Sequence, residues 1–144
     1  MAVTLRWEKG LLKLNFKPMP NERLNIEQKR SKFAFDKRSS GDGSNYDAIV
    51  MKVPAYIQTN GFVYTMAFLA QKKDAKAVFE VIWEWHCNSS DNLSRLEELR
   101  SVTQDKFLEK LLTLSDEQIR LVTLETLALF TWLRRFVDDD AQNL

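Results

Sequence analysis

A chain of 144 residues has the length of one domain, and its 44% apolar and 28% charged residues exclude a low-complexity or globally disordered polymer. One cysteine and one histidine exclude a disulfide framework, a cysteine zinc site, an iron–sulfur cluster and a His-rich metal centre. A net charge of +1 excludes a protein that binds nucleic acid on bulk charge alone.

Four glycines and three prolines are too few for a β-sandwich with frequent tight turns and favour long helices. The first 24 residues stand apart. Val3, Leu5, Trp7 and then Leu12, Leu14, Phe16 alternate with polar residues, which predicts an extended arm or hairpin. Pro18 and Pro20 stop it. Asn25 and Gln28 have capping-box spacing and open a helix over 26–38, followed by the loop 39–45. Tyr46, Ile49, Val50, Val53 and Ile57 form one stripe of a helix reaching about residue 59, with Pro54 predicting a kink or a break near Val53. Asn60-Gly61 is a helix stop, and a short helix over 62–72 places Phe62, Met66 and Leu69 on one face.

Asp74 is placed to cap a helix over 75–87, with Val78, Phe79, Ile82, Trp83 and His86 inward. Trp85 falls on the far side from Trp83, so one of the two is expected near the surface. After a loop at 88–92 come short helices over 93–100 and 104–112. Ser115 with Gln118 opens the last helix, 116–137. Two stripes on it, Val122-Leu129-Leu133-Phe136 and Leu121-Leu124-Ala128-Trp132, predict a wide buried face at the centre of a bundle. The acidic run 138–140 ends the helix. The expected fold is all-α, a single bundle of six to seven helices over 25–144, with the arm 1–24 ahead of it. No apolar segment is long enough to span a membrane, no targeting signal is evident, and a reducing cytoplasm is the expected location.

No glycine-rich phosphate loop and no HExxH motif occurs. His86 and Cys87 are helix neighbours that point apart, so they read as structural rather than as a base and nucleophile. Asp91, Glu97, Glu98, Asp105 and Glu109 have the spacing of solvated helix faces. Glu125 lies in the apolar run 121–136, where a carboxylate needs a Lys or Arg partner from the first helices. No catalytic residue, metal ligand or cofactor is assigned.

Charge is segregated along the chain. Residues 1–52 carry 11 basic and 6 acidic groups, whereas 53–144 carry 10 and 14. Basic clusters lie at Lys29, Arg30, Lys32, Lys37 and Arg38, at Lys72, Lys73 and Lys76, and at Arg134 and Arg135. Alone each cluster reads as a solvated face. Two brought together make a stripe for a nucleic-acid backbone.

Three segments resemble the small helical subunit of the type III-B CRISPR RNA-guided effector, the Cmr complex. IEQKRSKFAF (26–35) is similar to its opening basic helix. Residues 46–72 share its pattern of Tyr46, Pro54, Asn60, Gly61, Ala67, Phe68, Leu69 and Lys72. VTLETLALFTWLRRF (122–136) is similar to its closing helix. Phe62 and Ile119 replace a leucine and a tyrosine of that pattern, residues 74–114 match only as helices, and the arm has no counterpart. The resemblance implies a non-catalytic subunit of an antiviral ribonucleoprotein. Copies would stack as a filament beside the crRNA-bearing subunits and contact target RNA through its backbone, independently of sequence. Its partners would be other Cmr subunits, copies of itself, crRNA and target RNA, without a membrane. Lys29, Arg30, Lys72, Arg134 and Arg135 are the expected RNA or intersubunit contacts, with Glu125 and Trp132 organising the core. The alternative is a helical protein–protein adaptor with no RNA role.

Overall fold

The structure, a computed structural model, describes residues 3–8, 11–16, 25–39, 45–89 and 96–137. The prolines of the arm, residues 40–44 of the expected loop 39–45, residues 90–92 of the expected loop 88–92, residues 93–95 of the expected helix 93–100, and the acidic run 138–140 lie outside the described residues. Two strands, β1 (Val3–Glu8) and β2 (Leu11–Phe16), pair antiparallel. The register sets Val3, Leu5 and Trp7 opposite Phe16, Leu14 and Leu12, so the alternation read from sequence is that of a hairpin. Six α-helices follow among the described residues: α1 (Ile26–Asp36), α2 (Tyr46–Asn60), α3 (Phe62–Gln71), α4 (Lys76–Trp83), α5 (Gln104–Leu111) and α6 (Asp116–Arg135).

α6 is the spine, with α1, α2 and α3 packed on it. Local chemistry fixes the ends of α1 and α6. Asn25 Oδ1 accepts the Gln28 amide at 2.8 Å while Gln28 Oε1 accepts the Asn25 amide at 3.0 Å, and Ser115 with Gln118 repeats the arrangement before α6. Both capping boxes satisfy amides that a helix start otherwise leaves unpaired. α2 runs unbroken through Pro54, contrary to a break at Val53. Val50, Val53 and Ile57 are all buried around it, and that burial offsets the backbone hydrogen bond the proline removes.

Gly61 alone separates α2 from α3. It has φ 87° and ψ 163°, a region essentially reserved for glycine. Its amide donates to the Ile57 carbonyl at 2.8 Å, and its carbonyl accepts the Thr65 hydroxyl at 2.8 Å. A methyl group at this position meets no atom within 4 Å, so alanine is opposed by backbone conformation alone. Gly61→Ala is expected to lower unfolding free energy by about 1–3 kcal/mol. Urea denaturation checks this, and a change within error would show that the turn relaxes freely.

Asp74 does not cap α4. Residues Lys73–Ala75 form a 3₁₀ turn, and the Asp74 carboxylate instead accepts the Asn45 side-chain amide at 2.7 Å, tying this turn to the start of α2. α4 then widens into a π-helical stretch, Glu84–Asn88. The wider turn lets three successive residues, Trp85, His86 and Cys87, be buried together. Trp85 is therefore fully buried, while Trp83 is half-buried and donates its indole N–H to the Val102 carbonyl at 2.7 Å. The helix expected over 93–100 is, among the described residues, a single 3₁₀ turn, Glu97–Leu99.

α6 buries one stripe and not two. Val122, Glu125, Thr126, Leu129, Phe130 and Leu133 face inward. Leu121 and Leu124 are 46% and 54% exposed, and Ala128 and Trp132 are half-buried. The expected second stripe turns outward because α1 packs against the side of α6 that carries Glu125.

Candidate nucleic-acid interface

Glu125 is 7% exposed and has the cationic partner expected of it. Arg30 of α1 meets it with two parallel bonds, Nε to Oε2 and Nη2 to Oε1, both 2.8 Å. The Trp85 indole N–H also donates to Glu125 Oε2, at 3.3 Å. The remaining edge of Arg30 binds Glu27, whose second oxygen accepts the Trp132 indole N–H at 2.7 Å. Trp132 first, and Arg30 with it, hold the Glu27 carboxyl below its ordinary range. The Glu125 partner raises the already high pKa of Arg30. Arg30, expected at RNA or a neighbouring subunit, has its guanidinium occupied by two carboxylates and clamps α1 to α6. Trp132 and Glu125 organise the same junction.

His86 is buried and neutral. Its Nε2 lies 2.8 Å from the Thr126 hydroxyl, whose own proton goes to the Val122 carbonyl at 2.8 Å, so Nε2 is the donor. Burial pushes its pKa down to about 3 and that of the neighbouring Cys87 thiol up to about 12. Neither group has the properties of a nucleophile or general base at neutral pH. The unfolded chain binds a proton on His86 near pH 6.5 and the folded chain only near 3, so stability falls as pH drops through that window. Between pH 6.5 and 5 the loss from this residue is roughly 1–2 kcal/mol. Urea midpoints of the native protein and a His86→Gln variant check it, since the variant should lose this part of the slope. Parallel slopes would contradict it.

The other four cations are placed differently. Arg134 and Arg135 end α6, where positive charge suits the helix dipole. Together with Thr131 and Met51 of α2 they line an open cleft of about 360 Å³. Lys72, just past α3, stands over the Phe68 ring, 5.6 Å from its centre. Lys29 is half-buried on α1 and borders neither that cleft nor the aromatic one below. None of the four forms an ion pair among the described residues, whereas Lys37 of the same basic set pairs with Glu84 at 2.6 Å. The structure thus joins Arg134 with Arg135 and leaves Lys29 and Lys72 at separate positions.

A second cleft of about 310 Å³, lined by Tyr56, Asn60, Tyr64, Thr65 and Phe68, includes the ring over which Lys72 stands. Its signal in the sequence is the four-residue spacing of Tyr56 and Asn60 on α2 and of Tyr64 and Phe68 on α3. Among the described residues no helix is long and apolar enough to cross a membrane, and no group of three His, Cys, Asp or Glu is arranged to hold a metal ion.

The family model described as CRISPR-associated protein (Cas_Cmr5) matches residues 26–139. The chain belongs to this family. The match begins at the first residue of α1 and runs beyond α6, so the whole described bundle lies inside it and the β1–β2 hairpin outside. The chain is thereby a small Cmr subunit of the type III-B CRISPR system, as the resemblance implied. Comparison with curated proteins and with solved structures gives no match. Within the Cmr subunit, the matched range takes in Lys29, Lys72, Arg134, Arg135 and both clefts.

Proposed function

We propose that this Cmr subunit is a non-catalytic, RNA-contacting element of the effector, acting in the cytoplasm in antiviral defence. Copies of the 25–144 bundle stack as a filament beside the crRNA-bearing subunits, and each copy offers cations to the target-RNA backbone. Lys29, Lys72, Arg134 and Arg135 make the phosphate contacts or the contacts between subunits, while Arg30 serves them indirectly by holding α1 on α6. The arm 1–24 is a separate part of the chain available to neighbouring subunits. The observation that carries this reading is the Arg134–Arg135 cleft within a chain of the Cmr family: two adjacent cations, open to solvent and without an ion pair among the described residues. Contacts from such cations to phosphates fix position on the backbone and carry no sequence information. Guide–target pairing supplies the sequence specificity.

The test is to tag the protein in its native host, purify it at moderate salt and identify what accompanies it. The expected result is a set of backbone subunits together with guide RNAs sharing a common 5′ repeat-derived segment. Recovery of one protein partner without RNA would contradict the proposal and support a protein–protein adaptor.

A further inference from the structure

The aromatic cleft is built from two matched helix columns. Lys52, Tyr56 and Asn60 follow one another at four-residue spacing on α2, and Tyr64, Phe68 and Lys72 do the same from α3 into the residue after it. Gly61 turns one column back toward the other, and the Tyr56 and Phe68 rings meet edge to face with centres 5.6 Å apart. This pairing orders the cleft along its length. Asn60 and Tyr64 lie nearest Gly61 in the chain and the Tyr56–Phe68 ring pair one turn farther along each helix; one turn beyond in sequence come Lys52 on α2 and Lys72, the residue after α3, which stands over the Phe68 ring. Tyr64 is 64% exposed and Phe68 39%, a large aromatic surface to leave in water. No acidic residue lines the cleft.

We propose that this cleft receives an unpaired base of the target RNA, with Tyr64 and Phe68 as the stacking surface and Lys52 and Lys72 holding the adjoining phosphates. Rings flanked by cations are the combination that binds single-stranded nucleic acid, because every base has a π-face and every nucleotide a phosphate. The Asn60 amide supplies both a donor and an acceptor to the edge of the base. A volume of about 310 Å³ suits one planar ring system and is at the low end for small-ligand clefts (about 300–1,000 Å³). The base must be one that the guide leaves unpaired, since a paired base is covered on both faces. The inference rests on the RNA-contacting role proposed above and adds a second kind of contact to it.

The test uses the assembled complex and target RNAs carrying 5-iodouridine at successive positions, inside and beyond the guide-paired segment. Irradiation attaches such a base to an aromatic ring stacked on it, and mass spectrometry locates the bond. The expected result is a cross-link to Tyr64, Phe68 or Tyr56 from a small set of positions. It should disappear in the double variant Tyr64→Leu, Phe68→Leu, which keeps the apolar volume and removes the π-faces. Target affinity of that variant should drop about 5- to 150-fold, and Tyr64→Phe should retain both cross-link and affinity. Cross-links confined to other parts of this subunit, with affinity unchanged in the double variant, would overturn the base-binding cleft and leave the RNA-contacting role intact. Absence of any cross-link to this subunit, with affinity insensitive to its cations, would overturn both. Loss of the double variant from the purified complex would show a protein-docking surface and overturn the inference.

Discussion

Arg30→Leu lowers the unfolding free energy by about 3–5 kcal/mol, the usual cost of removing one partner of a buried ion pair. The reason is the carboxylate left behind. Glu125 is 7% exposed, and without Arg30 the one donor left to it among the described residues is the Trp85 indole, at 3.3 Å. The same substitution removes the Arg30–Glu27 contact within α1, so of the polar links between α1 and α6 among the described residues only the Trp132–Glu27 hydrogen bond is left. At roughly 2–4 °C per kcal/mol the melting temperature falls by about 6–20 °C. Arg30→Met combined with Glu125→Leu recovers most of the loss, because an apolar pair of similar volume is commonly as stable as the ion pair it replaces. Thermal denaturation followed by circular dichroism separates the two. A stable single variant that had lost only RNA affinity would return Arg30 to the interface and contradict the structural role.

Neutralising the other four cations has the opposite profile. Lys29→Gln, Lys72→Gln, Arg134→Gln and Arg135→Gln together change stability by no more than about 1 kcal/mol, since none of the four forms an ion pair among the described residues and glutamine is tolerated in helices. That change comes from Arg134 and Arg135 at the end of α6, where the helix dipole favours them, and from the Lys72–Phe68 contact. Target-RNA affinity of the assembled complex drops by about two orders of magnitude near 0.2 M salt. Four phosphate contacts, each with a salt slope of about 0.7 on a single strand, contribute that much. Filter binding or anisotropy with labelled target RNA checks it. Loss of folding would place these residues with Arg30, and unchanged affinity would remove them from the RNA path.

Features set by neighbouring residues were legible in the sequence. Both capping boxes need only two residues three apart, and Asn60-Gly61 ends α2 because one residue adopts a conformation open to glycine. The Glu125 partner was also legible, since a carboxylate amid apolar residues must be paired or pay its desolvation in full. That the cation would be Arg30, taken from the basic cluster expected at RNA, was not legible: one helix face offers several cations, and the crossing of α1 over α6 selects among them. The same crossing decides which stripe of α6 is buried, so Leu121 and Leu124 looked like core and are half exposed. A 3.6-residue period could not predict the π-helical stretch that buries Trp85, His86 and Cys87 in succession. Asp74 satisfied the local rule for a cap, but the Asn45 amide, distant in sequence, takes its carboxylate.

The most direct measurement of the central claim is the salt dependence of target-RNA affinity, for complexes carrying the native subunit and the four-glutamine subunit. Contact through these cations predicts that the plot of log affinity against log salt is steeper for the native complex by about 0.7 for each phosphate contact removed. The two complexes should converge at high salt. Parallel lines, whatever their separation, would contradict the claim that this subunit touches the RNA backbone through Lys29, Lys72, Arg134 and Arg135.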